Sequence, residues 1–272
     1  IAALSTAQIP TLHSLQVNAL TSRQLSVMST TQIIALSTSQ LAALSTAQLI
    51  LLTSSQVAAI ETRDIAALTS LQIATITTNQ ISAFNTAQIT ALTSTQIPAL
   101  STALIVLLDS EQLAAIETRD IAALTTKQIN AITTNQISTF NTGQIAAFNS
   151  TQISSLSTQQ ISRLTTLQLG AIEISDISEL SNAQIAILSE EQFTSLSTLQ
   201  VSLLTTTQIN SVTALMSSVQ IAALSSAQLG AFTTSQIILF DEERITAIET
   251  RDIAGLTTAL IASITTNQIS MF

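Results

Sequence analysis

The chain has 272 residues, 46% hydrophobic but only 8% charged, with a formal net charge of −9 and no Cys, Trp or Tyr. It is too apolar for the disordered class, which needs low hydrophobicity and high net charge. With only seven basic residues it cannot neutralise a run of phosphates, and its acidic balance repels anionic membranes. Without Cys there is neither disulfide nor thiol chemistry, and no run of eighteen apolar residues exists to make a transmembrane helix.

The first four residues, IAAL, are the tail of a phrase whose full form opens at Ser5 as STAQIPTL. Gln then falls at 8, 16, 24, 32, 40, 48 and 56, and the rhythm holds to Gln208, resumes at Gln220 and runs to Gln268. The sequence reads as a single repeat array over 1–272, made of octads 5–212 and 217–272 with a four-residue insertion at 213–216. It opens inside a phrase at Ile1 and closes on a completed one at Phe272, with no initiator Met and no signal peptide, so it is expected to be a segment of a longer repetitive chain.

Counted from its first Ser or Thr, the octad is S/T, S/T, x, Gln, Ile/Leu, x, small, Leu/Ile/Phe. Positions 5 and 8 are apolar: Phe193 stands at 5, and Phe84, Phe140, Phe148, Phe232, Phe240 and Phe272 at 8. Position 3 takes most of the cations, Arg23, Arg63, Arg119, Lys127 and Arg251, so it is expected to face water while 5 and 8 face a core. Apolar spacings of three and five with Ala and Gln between them do not alternate as a strand would.

A helix start is written into each phrase. In Leu36-Ser37-Thr38-Ser39-Gln40-Leu41, Ser37 is an N-cap whose hydroxyl can accept the N3 amide, and Gln40 can reach back to the N-cap amide. Leu36 and Leu41 complete a hydrophobic staple. Ser45 and Gln48 repeat the pair. One continuous helix would fail, because eight residues at about 100° each leave the apolar stripe about 80° out of register per octad. The pattern therefore predicts an all-α solenoid or superhelix of very short capped helices, five to eight residues long, one per eight-residue repeat. Gln fills position 4 in 26 of 33 octads, which is expected to stack the amides in a mutually hydrogen-bonded column. No Gly stands at position 8 or 1, so the corners need no positive φ. Pro10 and Pro98, at position 6, predict two kinked or one-turn octads.

Along the chain, four octads begin with an acid and carry Asp for Gln: ETRDIAAL at Glu61, ETRDIAAL at Glu117, EISDISEL at Glu173 and ETRDIAGL at Glu249. The first three are 56 residues apart, and TTNQISAF at Thr77 is answered by TTNQISTF at Thr133, so a seven-octad block has been duplicated. Glu caps poorly, which predicts that QVAAIETRDIAAL continues as one longer helix. Glu61, Asp64, Glu117, Asp120, Glu249 and Asp252 are the candidate contact or charge sites. They and Asp241-Glu242-Glu243 read as acids favoured by the dipole of a first turn, not as an acid/base pair or a calcium site. His13, the single His, stands at a capping position, and without Cys it makes no ordinary zinc site. Asn149-Ser150-Thr151 matches a glycosylation sequon. No catalytic residue, metal ligand or cofactor site emerges.

The octads at Ser37, Ser45, Thr93, Ser217 and Ser225 resemble octapeptide tracts of the ALTTAQIAAL type in giant bacterial secreted and cell-surface, adhesin-like proteins, many exported by type I secretion. The resemblance covers essentially the whole chain. It implies a non-catalytic rod or stalk, extracellular or at the cell surface, whose partners are its own repeats and other copies of itself, with no nucleic acid and no membrane insertion. A self-assembling filament or sheath subunit, and binding of ice or polysaccharide through Ser/Thr rows, are the alternatives. A local likeness to the LTxxQVxAI helix start of TAL-effector repeats is set aside, since the period here is eight and the chain acidic.

Overall fold

The computed structural model describes residues 1–270, so the expectation for Phe272 lies outside the described residues. The fold is an all-α solenoid of short helices, with no strand among the described residues. Among the described residues there are 30 α-helices and four 3₁₀ turns, and these numbers mean one helix or turn per octad, with one turn left over at Thr213–Leu215. The chain divides into two compact units, Ile1–Phe140 and Asn141–Phe272.

A representative octad shows why each helix is short. Ser37 is extended (φ −76°, ψ 158°), the helix runs Thr38–Ala42, and Ala43 closes it still in the right-handed region. Residues at position 8 are extended where they close a helix, as in Leu68 (ψ 141°) and Leu108 (ψ 129°), and so is the next N-cap. Two consecutive extended residues therefore make each corner, and no described residue has positive φ. The α-helices span four to seven residues, shorter than the five to eight expected, because the corner consumes positions 8 and 1. At Pro10 and Pro98 the missing amide leaves only the 3₁₀ turns Ile9–Thr11 and Ile97–Ala99.

The acidic octads are broken like the rest, which corrects the expectation of fused helices. Ser54–Ala58 ends, Glu61 is extended (ψ 151°), and Thr62–Ala67 starts afresh although the Glu61 side chain caps nothing. The corner follows from burying positions 5 and 8 on both sides of it, so it survives loss of the cap. Ile60, Ile65 and Leu68 are all buried, as are Leu41, Leu44, Phe84 and Phe140, while Arg23 and Lys127 face solvent. At position 5 Ile261 and Ile269 are exposed and Ile253 is half-buried, all near the end of the described residues.

Successive turns are tied by side chains reaching across about one turn. In the first unit Gln40 Nε2 donates to the carbonyls of Ile9 (2.9 Å) and Leu12 (2.7 Å), in the fourth octad back. Gln80 does the same to Leu49 and Leu52, both at 2.8 Å. In the second unit Gln184 reaches Leu156 at 2.6 Å and Gln200 reaches Ile172 at 2.9 Å. This corrects the expected column of bonded amides: each amide satisfies backbone carbonyls at the C-terminal end of another helix, the orphan acceptors of that helix. Other bonds join octads three apart, as Ser54 Oγ donates to the Asn79 carbonyl (3.0 Å) and Ser70 Oγ to that of Thr95 (2.8 Å). A turn thus holds between three and four octads.

The four residues 213–216 fit this ladder as the second half of an octad. The helix Thr206–Val212 runs straight into the turn Thr213–Leu215, with no corner between them. Thr213 and Met216 are buried, as positions 5 and 8 are elsewhere. Gln220 donates to Phe193 and Leu196, 27 and 24 residues back instead of the usual 31 and 28. The stack counts the four residues as one whole step, with positions 1–4 missing.

Candidate functional site

The recurring functional element is the position-1/position-4 pair. Ser37 N–H donates to Gln40 Oε1 at 2.7 Å while Ser37 Oγ accepts from the Gln40 amide at 3.3 Å. Ser45 and Gln48 form the same reciprocal pair at 2.8 and 3.3 Å. Gln48 Nε2 then reaches the carbonyls of Val17, Asn18 and Leu20 at 3.2, 2.9 and 2.8 Å. A single buried amide therefore caps its own helix start and closes the end of an earlier helix. Glu in place of Gln would be acceptor-only and could do the first but not the second.

In the acidic octads the division of labour changes. Asp64, Asp120 and Asp252 are buried, and each carboxylate accepts a hydroxyl from position 2 of the octad three back: Thr38, Ser94 (2.6 Å) and Ser226 (2.7 Å). Asp176 takes Ser150 at 2.6 Å in the same way. A carboxylate has no N–H to give, so Ile33 and Leu36 receive nothing from Asp64 where Gln40 serves Ile9 and Leu12. Asp64 Oδ2 is buried without a hydrogen-bond partner. The position-3 arginines bridge outward: Arg63 to Glu61 (2.5 Å), Arg119 to Glu117 (2.6 Å), and Arg251 to Glu249 (2.9 Å). Arg251 also lies 3.2 Å from Asp252. These outer pairs are half-exposed, and such pairs contribute about 0–1 kcal/mol.

The structure thus joins Glu61 with Asp64, Glu117 with Asp120 and Glu249 with Asp252 through one arginine each. It brings no two of these triplets into a single cluster, and no group of three or more metal-ligating side chains occurs among the described residues. The partners Thr38, Ser94, Ser150 and Ser226 gave no sequence signal, because almost every octad has Ser or Thr at position 2. His13 contributes its backbone N–H to Gln16 Oε1 at 2.8 Å.

This geometry defines an all-α octapeptide-repeat solenoid, a class in which each repeat is stabilised by neighbours in the stack. The family model for the ALTTAQ repeat matches residues 57–94 and again 113–150, so the chain carries a tract of ALTTAQ-type repeats. The two matches are offset by 56 residues, the spacing of the duplicated block. No curated protein matches the chain.

Proposed function

We propose that the chain is a non-catalytic structural segment, an extended rod or stalk of a secreted or cell-surface protein that sets the distance at which other parts are displayed. The observation that carries this reading is the locality of the bonding. Within each unit an octad bonds octads three and four away, so length scales with octad number and no residue far along the chain is needed. The position-1 hydroxyls and position-4 amides, as in Ser37 and Gln40, are engaged in caps and carbonyl bonds. This weighs against catalysis by either row and against ice or polysaccharide binding through the position-1 hydroxyls. Secretion to the surface rests on the likeness to surface-protein tracts.

Self-assembly into a filament is the second reading, favoured by large apolar side chains held out at position 3: Leu15 is 84%, Leu71 70% and Leu167 74% exposed. Deleting the seven octads from Glu61 to Ile116 separates the two. A stalk gives a folded, proportionally shorter particle in small-angle scattering at all concentrations. Concentration-dependent fibres in the parent, lost on replacing Leu15, Leu71 and Leu167 by Ser, would displace the stalk.

A further inference from the structure

The half octad 213–216 creates a place unlike any other in the repeat. Arg244 stands at position 4, where Gln is the rule, and treats the half octad as a fourth-back neighbour: Nε donates to the Met216 carbonyl (2.9 Å) and Nη2 to that of Ala214 (3.3 Å). An amide can serve such carbonyls, as Gln236 does for Asn210 at 2.7 Å, so the backbone there does not call for a charge. The charge is also unmatched. Arg63, Arg119 and Arg251 each have a Glu and an Asp within 4.0 Å, but among the described residues no carboxylate lies that close to Arg244, and its Nη1 has no partner.

Beside this guanidinium is a cavity of about 270 Å³, open on one side. It is lined among others by Asn210, Thr213, Leu239, Phe240 and Arg244, and borders the half octad that lacks positions 1–4. Asn210 Nδ2 donates to the Ala231 carbonyl at 2.8 Å, while Asn210 Oδ1 is buried with no partner, an acceptor that costs free energy unless a donor arrives. Phe240 is packed edge-on against Phe232 at 5.6 Å, so that wall is apolar. Leu239, 74% exposed, stands at the mouth.

An unmatched cation and an apolar wall around one cavity specify a ligand with two features: a negative acceptor and an apolar body. We propose that this cavity binds the carboxylate of an N-acylated apolar amino acid, either free or as the last residue of a peptide. The carboxylate pairs with the unused edge of Arg244, and the side chain packs on Phe240 and Leu239. Filled to the density of a protein interior, about 0.74, the cavity holds roughly 200 Å³ of ligand atoms, room for about a dozen non-hydrogen atoms. The proposal is independent of the stalk: it concerns one break in the array, and the stalk reading stands or falls on scattering.

Calorimetric titration of the 272-residue chain with N-acetyl-L-leucine is expected to give saturable binding. N-acetyl-L-leucinamide, which lacks only the charge, should bind at least tenfold more weakly. Arg244→Gln restores the residue used at most other fourth positions, so it should keep the parent melting temperature within a few degrees and lose tenfold or more in affinity. Asn210→Asp should weaken binding similarly by placing a second negative charge at the cavity. A tetrapeptide ending in free leucine that binds more tightly than N-acetyl-L-leucine assigns the source to a chain terminus, and the reverse order to a free small molecule; both support the site. Absence of saturable binding of N-acetyl-L-leucine, or equal affinity for acid and amide, overturns the proposal, and this comparison stands on the parent chain even if Arg244→Gln fails to fold.

Discussion

Two octads of the first unit, Thr77–Phe84 and Glu61–Leu68, hold the same corner with different chemistry. In the first, Gln80 accepts from the Thr77 N–H at 2.9 Å and donates to Leu49 and Leu52. In the second, Asp64 does neither and instead accepts the Thr38 hydroxyl from the octad three back. Ile81 and Ile65 are nonetheless both fully buried. Burial of positions 5 and 8 therefore fixes the path of the chain, and the polar ladder adds register and satisfies backbone groups that would otherwise be orphaned.

The largest expected effect tests the shared half of that comparison. Ile81→Ala and Ile65→Ala should each destabilise by about 2–5 kcal/mol in chemical denaturation. A much milder loss at Ile65 would mean that the acidic octad is not held by its core. Next, Gln80→Leu strands the Thr77 N–H and two carbonyls and should cost about 2–4 kcal/mol. Asp64→Leu should fall within about 1 kcal/mol of the parent, because removing a poorly satisfied buried carboxylate offsets the loss of the Thr38 bond. Equal penalties at the two sites would dissolve the distinction.

A smaller effect separates the acidic octads from one another. Where Ala67 and Ala123 stand at position 7, the octad at Glu249 has Gly255, and a Cβ there would lie 2.4 Å from the Ser226 carbonyl oxygen. Gly255→Ala should destabilise by about 1–3 kcal/mol through this forced approach, read as a lower melting temperature. The smallest is Glu61→Ser. It restores a capping hydroxyl, typically about 0.5–2 kcal/mol, and removes an exposed ion pair with Arg63. A net gain of about 1 kcal/mol is expected, and a net loss would show that the pair outweighs the cap.

What the sequence made legible was local. The eight-residue period, the reciprocal Ser37–Gln40 cap and the burial of Leu41 and Leu44 all follow from residues within one phrase of each other. What it hid was set 24 to 31 residues away, where an unlabelled repeat gives no pairing signal. Gln40 could be placed at N3, but not its second set of partners, Ile9 and Leu12. The helices at Glu61 do not fuse, because burial of Ile60 and Ile65 on either side holds the corner without a capping side chain. Residues 213–216 read as extra when counted by Gln spacing, and only the bonds of Gln220 and Arg244 identify them as a step with half its residues missing. The cavity beside Arg244 follows from that step and has no counterpart in the octad formula.

The duplicated 56-residue block acquires a geometric meaning from partners that lie at both three and four octads. An array wound between those limits advances by a fraction of a turn that is not a whole octad, so adding one octad leaves the new end pointing elsewhere. Seven octads come to about two complete revolutions. Copying that block returns the chain to the same azimuth, so that Glu61 and Glu117, or Asn79 and Asn135, recur on one side of the first unit. Growth by double revolutions lengthens the stack while leaving the next octad facing the direction it faced before.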